Sequence, residues 1–477
     1  MRLFAPLALA ALVAGCASAP KYDPPKLDLP AAWKVEAPFR ESTPNDAALK
    51  GAWWERFGDA KLNELAQQAL ASNPTLQVAA LRLTQARAQF GVATSQQYPQ
   101  LGLQARFNRF RSTENRPLTN EAAPNFSTTQ NDILFGLTAS YEVDFGARVS
   151  SLVQGAGASV EQSAADLENV RLLLVSDLAS AYFNLRQTDI ELQVLAGSID
   201  LQRRSLDLAT TRHQLGAGTG LEVAQQQALL DSTLTQVDLL RKQRAQFEHA
   251  IATLVATPAP VFSLAPDTRD IVPPAVPLGV PSDILERRPD VASAERAMAA
   301  ANAQIGVARS AFYPSIILGA TGGQESRLLD TLLKSPSYVW SLGVNLLQPL
   351  FDAGRTQSNV DFAKAGYDIA VQNYRRTVLT AMQEAEDGII GLAALERAST
   401  QARVAVDSAR KALDLVNARF EGGIAGPLEV ITAQQNLLNA ERLASQLVGQ
   451  RLLTSVFLVK ALGGDWQGPQ KLSQQKD

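Results

Sequence analysis

The chain contains the same stretch of sequence twice. Residues 74–105 align without gaps with residues 289–320, at an offset of 215 positions (289 − 74). Further along, residues 206–223 align with residues 413–430 at an offset of 207 positions (413 − 206). A repeat of this length indicates that one supersecondary unit occurs twice. We therefore predict an internal duplication in which both halves share one fold.

Each half contains two segments in which apolar and polar residues alternate. They cover about 98–111 and 132–146 in the first half, and about 313–325 and 337–351 in the second. Alternation places the two sets on opposite faces of a sheet, and about 9–11 residues suffice for a tilted membrane strand. The polar set includes three charged residues that suit a water-filled lumen: Arg106, Glu142 and Asp144. An ordinary half-buried antiparallel sheet in a soluble domain is the alternative.

Long helices are predicted after each strand pair. Residues 147–213 contain no proline, and apolar residues recur every seven positions from Leu178 to Leu206. This spacing is typical of a coiled-coil seam. Glycines then supply the left-handed cap that ends a helix. Returning helices are predicted over about 221–257 and, in the second half, about 428–463.

The N-terminus has the features of a bacterial lipoprotein signal. Arg2 is followed by an apolar run over residues 3–13 and by small residues up to Cys16, the single cysteine. A charged start, a short apolar region and small residues indicate a secretory signal. Residues 13–16 resemble the lipoprotein box, which implies removal of residues 1–15 and acylation of Cys16, including palmitate. A simple secretory signal with a chance cysteine is the alternative.

The remaining chain divides by composition. After the signal peptide we predict a lipidated tether over 16–58 and a first repeat over 59–257. Seven prolines within residues 258–281 exclude a helix or a central strand there, so this segment is predicted to be a linker. The second repeat covers 282–465, and a polar tail covers 466–477.

Composition and motifs exclude several classes of function. The chain has 44 Lys and Arg against 47 Asp and Glu, whereas a nucleic-acid-binding chain carries a basic excess. One cysteine and two histidines cannot form a Cys/His zinc site. Neither a G-x-S-x-G elbow nor a phosphate-binding loop is present. We therefore predict no enzymatic activity, no metal, no nucleic-acid partner and no cofactor other than the lipid on Cys16.

Four strands cannot close a membrane barrel. No apolar run in the mature chain reaches the about 18 residues of a membrane-spanning helix, so a membrane crossing would use the strands. The smallest closed membrane barrels have about eight strands, and an open edge in lipid leaves backbone groups unpaired. Several copies must therefore share a barrel. Three copies give twelve strands, although strand counting alone leaves two or four copies open.

Several spaced motifs resemble one family. They are the stretches 53–59, 285–291 and 352–355, together with Tyr22, Pro25, Pro30 and Trp33 after the lipid cysteine. From the lipoprotein box to about Trp466, the chain resembles the TolC-like outer-membrane efflux proteins, most closely their OprM-like lipoprotein branch. The resemblance implies an α+β membrane protein. It would be a trimeric twelve-stranded outer-membrane β-barrel with four strands per chain, continued by a long α-helical, coiled-coil-like periplasmic tunnel.

The resemblance also implies a function. The homotrimer would be the outer-membrane channel of a tripartite RND-type efflux pump, a passive gated exit duct for drugs and other small toxic compounds. Its partners would be a periplasmic adaptor (membrane fusion) protein, an inner-membrane transporter and outer-membrane lipid. The protein would be lipid-anchored in the outer membrane and extend into the periplasm. A type I protein-secretion channel and a non-channel periplasmic coiled-coil scaffold are the alternatives.

In this family the gate lies where the long helices turn back at the periplasmic end. Carried over by motif, Leu428, Glu429 and Thr432 occupy positions that narrow the pore, and Glu222 is the first-half equivalent of Glu429. Family members often have Asp at the position of Thr432, which puts an acidic ring at that level in doubt. The alternative for both glutamates is a solvated acid in the first turn of a helix, favoured by the helix dipole.

The turns themselves supply further candidate residues. Arg212 and Gly216 in the first half correspond to Arg419 and Gly423 in the second. The resemblance implies that these turns brace neighbouring helices or dock the adaptor. A cation placed at a helix C-terminus, where the dipole also favours it, is the alternative for both arginines.

Overall fold

The computed structural model describes residue 22 and residues 52–115, 126–269, 271–274 and 288–464. The predicted signal peptide, Cys16, most of the tether, residues 270 and 275–281 of the predicted linker, and the polar tail lie outside the described residues. The main elements are α1 (Ala60–Ser72), α2 (Pro74–Ser95), β1 (Gln100–Ser112), β2 (Thr128–Val143), α3 (Arg148–Gln214), α4 (Gly220–Leu254), α5 (Pro289–Ser310), β3 (Ser315–Ser326), β4 (Tyr338–Leu347), α6 (Arg355–Glu421) and α7 (Pro427–Ala461).

The predicted internal duplication is confirmed by the helix lengths. Helices α2 and α5 each have 22 residues, α3 and α6 each have 67, and α4 and α7 each have 35. The start of α6 follows that of α3 by 207 positions (355 − 148), as the start of α7 follows that of α4 (427 − 220). This is the offset found between the two halves of the sequence.

The strands differ from their predicted bounds by up to four residues. β4 ends at Leu347 instead of near 351, because Pro349 has no N–H to donate to a ladder. β2 begins at Thr128 instead of near 132, because its pairing with β1 continues to the last residue of that strand, Ser112.

The described residues form two compact units. The first, mainly Leu83–Gln162 and Ala294–Tyr374, contains the sheet, in the order β1-β2-β3-β4 with every neighbouring pair antiparallel. Gly136 lies opposite Gly323 in the β2–β3 register. A Cβ atom on Gly323 would overlap the carbonyl of Phe135. Glycine is required at this position because the two backbones approach closely.

The second unit comprises the described parts of Lys26–Arg82, Ser163–Ser293 and Arg375–Asp477, and it is helical. Two residues of the predicted heptad seam, Leu178 and Leu185, are fully buried in its core. Their cluster also contains Trp53, Trp54, Phe57, Leu62, Leu65, Tyr182 and Phe183. Among all described residues, no helix has an apolar stretch long enough to cross a bilayer.

The motif at residues 53–59 ends in a carboxylate that joins two helices. Asp59 accepts hydrogen bonds from the backbone N–H groups of Lys61 and Leu62, at 2.8 and 2.9 Å, and so caps α1. The hydroxyl of Tyr182 on α3 donates to the same carboxylate at 2.8 Å. Burial raises the pKa of Tyr182, which keeps this hydroxyl protonated as a donor.

A buried carboxylate fixes the chain that follows α4. Asp189 on α3 accepts hydrogen bonds from Arg244 at 2.6 Å and from Arg186 at 3.2 Å. The two arginines also donate to the carbonyls of Leu264 and Ala265, at 2.7 and 2.9 Å respectively. A buried charge is tolerated when it is paired and hydrogen-bonded in this way. The cluster therefore holds the start of the predicted linker against α3 and α4.

Candidate functional site

The sheet of the first unit has one continuous apolar face. In the observed register, Leu103 lies beside Leu137, and the same row continues through Gly322 to Trp340. The side chains of Leu103, Leu137 and Trp340 are 67%, 63% and 63% exposed. Other rows of this face contain Leu101, Phe107, Phe135, Leu318, Leu342, Val344 and Leu346, all exposed. An exposed apolar face of this extent marks a surface that contacts lipid or a partner.

The height of this face matches the apolar layer of a membrane. On β2, every second residue from Ile133 to Val143 points to it, and all of them are apolar or aromatic. The interval is ten residues (143 − 133), or about 34 Å along the strand at about 3.4 Å per residue. A strand tilt of about 40° reduces this height to about 26 Å, close to the about 25 Å apolar band of outer-membrane barrels. The height therefore favours a membrane strand over an ordinary soluble sheet.

The opposite face of the sheet carries all the carboxylates of the strands, together with Arg106. Arg106 on β1 donates to Asp132 on β2 at 2.7 Å, and its guanidinium lies 3.9 Å from the carboxylate of Glu325 on β3. Glu142 shares this face and pairs with Arg148 at 2.6 Å. As predicted for Arg106 and Glu142, these groups suit contact with water.

The prediction that Asp144 lies on the polar face of β2 is wrong. This residue lies beyond the end of β2, and its carboxylate accepts hydrogen bonds from the N–H groups of Val149 and Ser150, both at 2.8 Å. It therefore caps α3. Asp352 of the motif at 352–355 does the same for α6, accepting from the N–H and hydroxyl of Thr356. These hydrogen bonds lower the pKa of Asp352.

Both outer strands of the sheet have an edge that no described strand pairs with. The strand order leaves one side of β1 and one side of β4 open along strands of 13 and 10 residues. An open edge presents unpaired N–H and C=O groups to any further strand. In lipid such groups cost several kcal/mol each. The sheet is therefore incomplete until strands from elsewhere join it.

The two helical turns of the second unit share one backbone geometry. Gly216 and Gly423 adopt left-handed φ angles of 77° and 73°. The N–H of the next residue donates to the carbonyl of Arg212 in the first turn and of Arg419 in the second, at 2.8 Å in both. Hydrogen bonds of this kind end an α-helix. The positive φ explains why both positions are glycine.

The side chains at these turns differ. In the second turn, Glu429 accepts a hydrogen bond from the N–H of Gly426 at 3.1 Å, and the guanidinium of Arg419 lies 3.5 Å from the same carboxylate. In the first turn, the hydroxyl of Thr219 accepts instead from the N–H of Glu222 at 3.3 Å. Within one chain, Glu429 is thus both a helix-capping acid and an ion-pair partner.

Arg212 contacts the second half of the repeat. Its guanidinium carbon lies 4.9 Å from the ring centre of Phe420, a cation–π geometry. Because Arg212 belongs to the end of α3 and Phe420 to the end of α6, this contact braces the two long helices beside their turns.

The structure brings three of the four candidate gate residues together. Leu428, Glu429 and Thr432 line a groove of about 650 Å³, opposite Ala412 and Val416 of α6. Glu222 is not part of this groove and lies at the other turn. Within the described residues, no group of three or more His, Cys, Asp or Glu is placed to hold a metal ion.

Sequence reasoning missed a set of exposed apolar residues at the turns. Besides Leu428, the exposed side chains include Leu215 and Leu221 at the first turn and Ile424 at the second. Apolar residues next to the turn glycines were the available signal, since turn tips are normally polar. Together they give both turns an exposed apolar surface in the single chain.

Comparison with known proteins gives consistent matches over nearly the whole chain. A family model described as outer membrane efflux protein matches residues 65–257 and 280–464. The chain is 32% identical over 468 residues to the pyoverdine export outer membrane protein OpmQ of Pseudomonas aeruginosa, covering 98% of this chain and 97% of that protein. It is 31% identical over 460 residues to the toluene efflux pump outer membrane protein TtgC of Pseudomonas putida, covering 95% and 94%.

Solved structures share the fold. The outer-membrane channel OprN superposes with a TM-score of 0.86 at 27% identity, covering 94% of this chain and 99% of that chain. The Campylobacter jejuni CmeC outer membrane channel gives a TM-score of 0.86 at 26% identity, covering 95% and 96%. The predicted fold class, long duplicated helices with four membrane strands per chain, is therefore confirmed.

Proposed function

The chain belongs to the outer membrane efflux protein family, and we propose that it is the outer-membrane channel of a tripartite efflux pump. In this role it is a passive, gated exit duct for drugs and other small toxic compounds. The two-faced sheet carries the proposal. It joins an apolar face of about membrane height to a charged face within one chain, and both of its edges await further strands.

Three copies complete this sheet most economically. Four strands per chain give twelve in a homotrimer, an even number, and the interior is wide enough for a channel. The open edge of β4 in one copy would pair with the open edge of β1 in the next. This arrangement leaves no edge in lipid and directs every charged face toward the lumen.

The names of similar proteins support small molecules as the transported compounds. Two of the similar proteins are named for pyoverdine export and for a toluene efflux pump, and neither name refers to protein secretion. We assign the partners accordingly: a periplasmic adaptor and an inner-membrane transporter that supplies the energy. The exposed apolar residues at the two turns, Leu215 and Ile424 among them, provide a surface for the adaptor.

The gate is assigned to the second turn. Leu428, Glu429 and Thr432 line its groove, and threefold symmetry would bring three copies of the Arg419–Glu429 pair around one axis. Glu222 and Arg212 belong to the first turn, where they would act as secondary elements of the same ring. Acylation of Cys16 is assigned as an additional anchor in the outer membrane.

Conductance in planar bilayers tests the function. The purified, trimeric full chain is expected to give discrete channel events, and a monomeric protein that stays electrically silent would contradict the proposal. Efflux is separated from protein secretion in cells. Deleting the gene should cause hypersensitivity to toxic compounds while the set of secreted proteins stays unchanged. The opposite pattern would favour the secretion channel.

A further inference from the structure

The apolar face of the sheet ends in two arginines. On β1, Leu101, Leu103, Ala105 and Phe107 point to this face, and the next two residues of the same parity are Arg109 and Arg111. Both arginine side chains are exposed. They lie toward the β1–β2 hairpin, at the end of the sheet opposite the helices that enter β1 and leave β2.

The rows that contain these arginines are polar throughout. Arg109 lies opposite Asn131 and Arg111 opposite Thr129. The last apolar row below them holds Phe107 and Ile133. Arginine on the lipid side of a barrel is strongly destabilising at the midplane and is tolerated near the interface. The two arginines therefore begin where the apolar band stops.

Charges in the four strands are sorted by face. The strands contain three carboxylates, Asp132, Glu142 and Glu325, and the register places all three on the polar face with Arg106. No strand carboxylate shares the outward face with Arg109 or Arg111. That face therefore presents two cations directly above an aromatic and aliphatic band.

We propose that Arg109 and Arg111, the outer arginine pair, bind the phosphorylated headgroup of the glycolipid in the outer leaflet. This inference rests on the proposed function, because the apolar face must lie in an outer membrane. Arginine is suited to the task, since its planar guanidinium can donate two hydrogen bonds to one phosphate. The Cα atoms of Arg109 and Arg111 are about 7 Å apart, because the two residues are two positions apart on one strand. The two side chains can therefore bind two phosphates or hold one phosphate between them.

Lipid binding by the purified full-length trimer tests the proposal. The probe is diphosphoryl lipid A, titrated into the detergent-solubilised trimer and followed by native mass spectrometry, with dephosphorylated lipid A as the reference ligand. The R109Q/R111Q variant is expected to bind diphosphoryl lipid A at least about tenfold more weakly, since each cation near an anionic lipid surface strengthens binding to it. R109K/R111K keeps both charges and should lose less.

A matched control removes the same charge elsewhere. R203Q/R204Q neutralises two exposed, adjacent arginines of α3 and should bind diphosphoryl lipid A like the wild type. Equal affinity of wild type and R109Q/R111Q would overturn the proposal. So would equal affinity of the wild type for both lipids, or full displacement by millimolar inorganic phosphate. Conductance is measured on the same samples. A trimer that conducts but does not prefer diphosphoryl lipid A over the dephosphorylated lipid refutes the lipid site and leaves the proposed channel function standing.

Discussion

The ion pair at the second turn predicts a charge-dependent selectivity that can be reversed by mutation. Arg419 and Glu429 lie 3.5 Å apart, and both are about half exposed, at 53% and 47%. Together they contribute no net charge per chain. Glu429→Gln leaves Arg419 uncompensated, which adds one positive charge per chain and three in a trimer. Arg419→Gln adds three negative charges by the same reasoning.

These substitutions should alter selectivity with little effect on folding. An exposed ion pair contributes about 0.2–1 kcal/mol, and Gln at position 429 can still accept the hydrogen bond from the N–H of Gly426. The electrostatic effect is screened over about 10 Å at 0.1 M salt and about 3 Å at 1 M. The change in selectivity should therefore be large at low salt and nearly vanish at high salt.

Reversal potentials of reconstituted trimers in a KCl gradient measure this effect. E429Q is expected to shift selectivity toward anions, R419Q toward cations, and the double variant R419Q/E429Q back toward the wild type. E429A serves as a control for the helix cap, because it removes the charge and the hydrogen bond together. Unchanged reversal potentials at 0.1 M salt, or shifts of the same sign in both single variants, would show that this pair does not face the conduction path.

Three further changes test other parts of the structure. Asp189→Ala leaves Arg186 and Arg244 without their buried carboxylate and should destabilise the protein by about 3–5 kcal/mol. Asp189→Asn keeps a hydrogen-bond acceptor and should destabilise the protein less. An unchanged thermal unfolding midpoint in Asp189→Ala would contradict this role. Gly323→Val should reduce the yield of trimer on non-denaturing gels because its side chain meets the β2 backbone, whereas Gly322→Val, which has open space, should assemble normally. Cys16→Ser should abolish incorporation of labelled palmitate, and continued labelling would exclude the lipoprotein box.

Local periodicity explains what the sequence predicts well. Successive side chains of a strand point to opposite faces of the sheet, so the sequence of one strand is enough to assign its residues to the two faces. The two faces of β1 and β2 can therefore be predicted from their sequences alone. The duplication is equally visible because it requires only aligned residues. The end of β4 was predicted about four residues too late because the alternating pattern takes no account of Pro349. Asp144 was misassigned because its position after a strand gives no hint that its carboxylate caps the next helix.

Contacts between distant parts of the chain could not be predicted in this way. Arg212 and Phe420 are 208 positions apart (420 − 212), and no local periodicity connects them. The Arg419–Glu429 pair had a better signal, since an acid at the third position of a helix is half of a capping box. Gly426 occupies the cap position where Ser or Thr would complete that signature, so the pattern was incomplete.

The two turns show how duplication can preserve a backbone while separating roles. The glycine geometry is the same in both, with equal hydrogen bonds to the carbonyls of the preceding arginines. Thr219 caps the first returning helix through its own hydroxyl, which leaves Arg212 available to stack on Phe420. In the second turn glycine lacks such a hydroxyl, so Glu429 reaches back to cap the helix and meets Arg419. The brace at one turn and the exposed ion pair at the other therefore accompany the replacement of Thr219 by Gly426 at the cap position, in turns that also differ at His213 and Phe420.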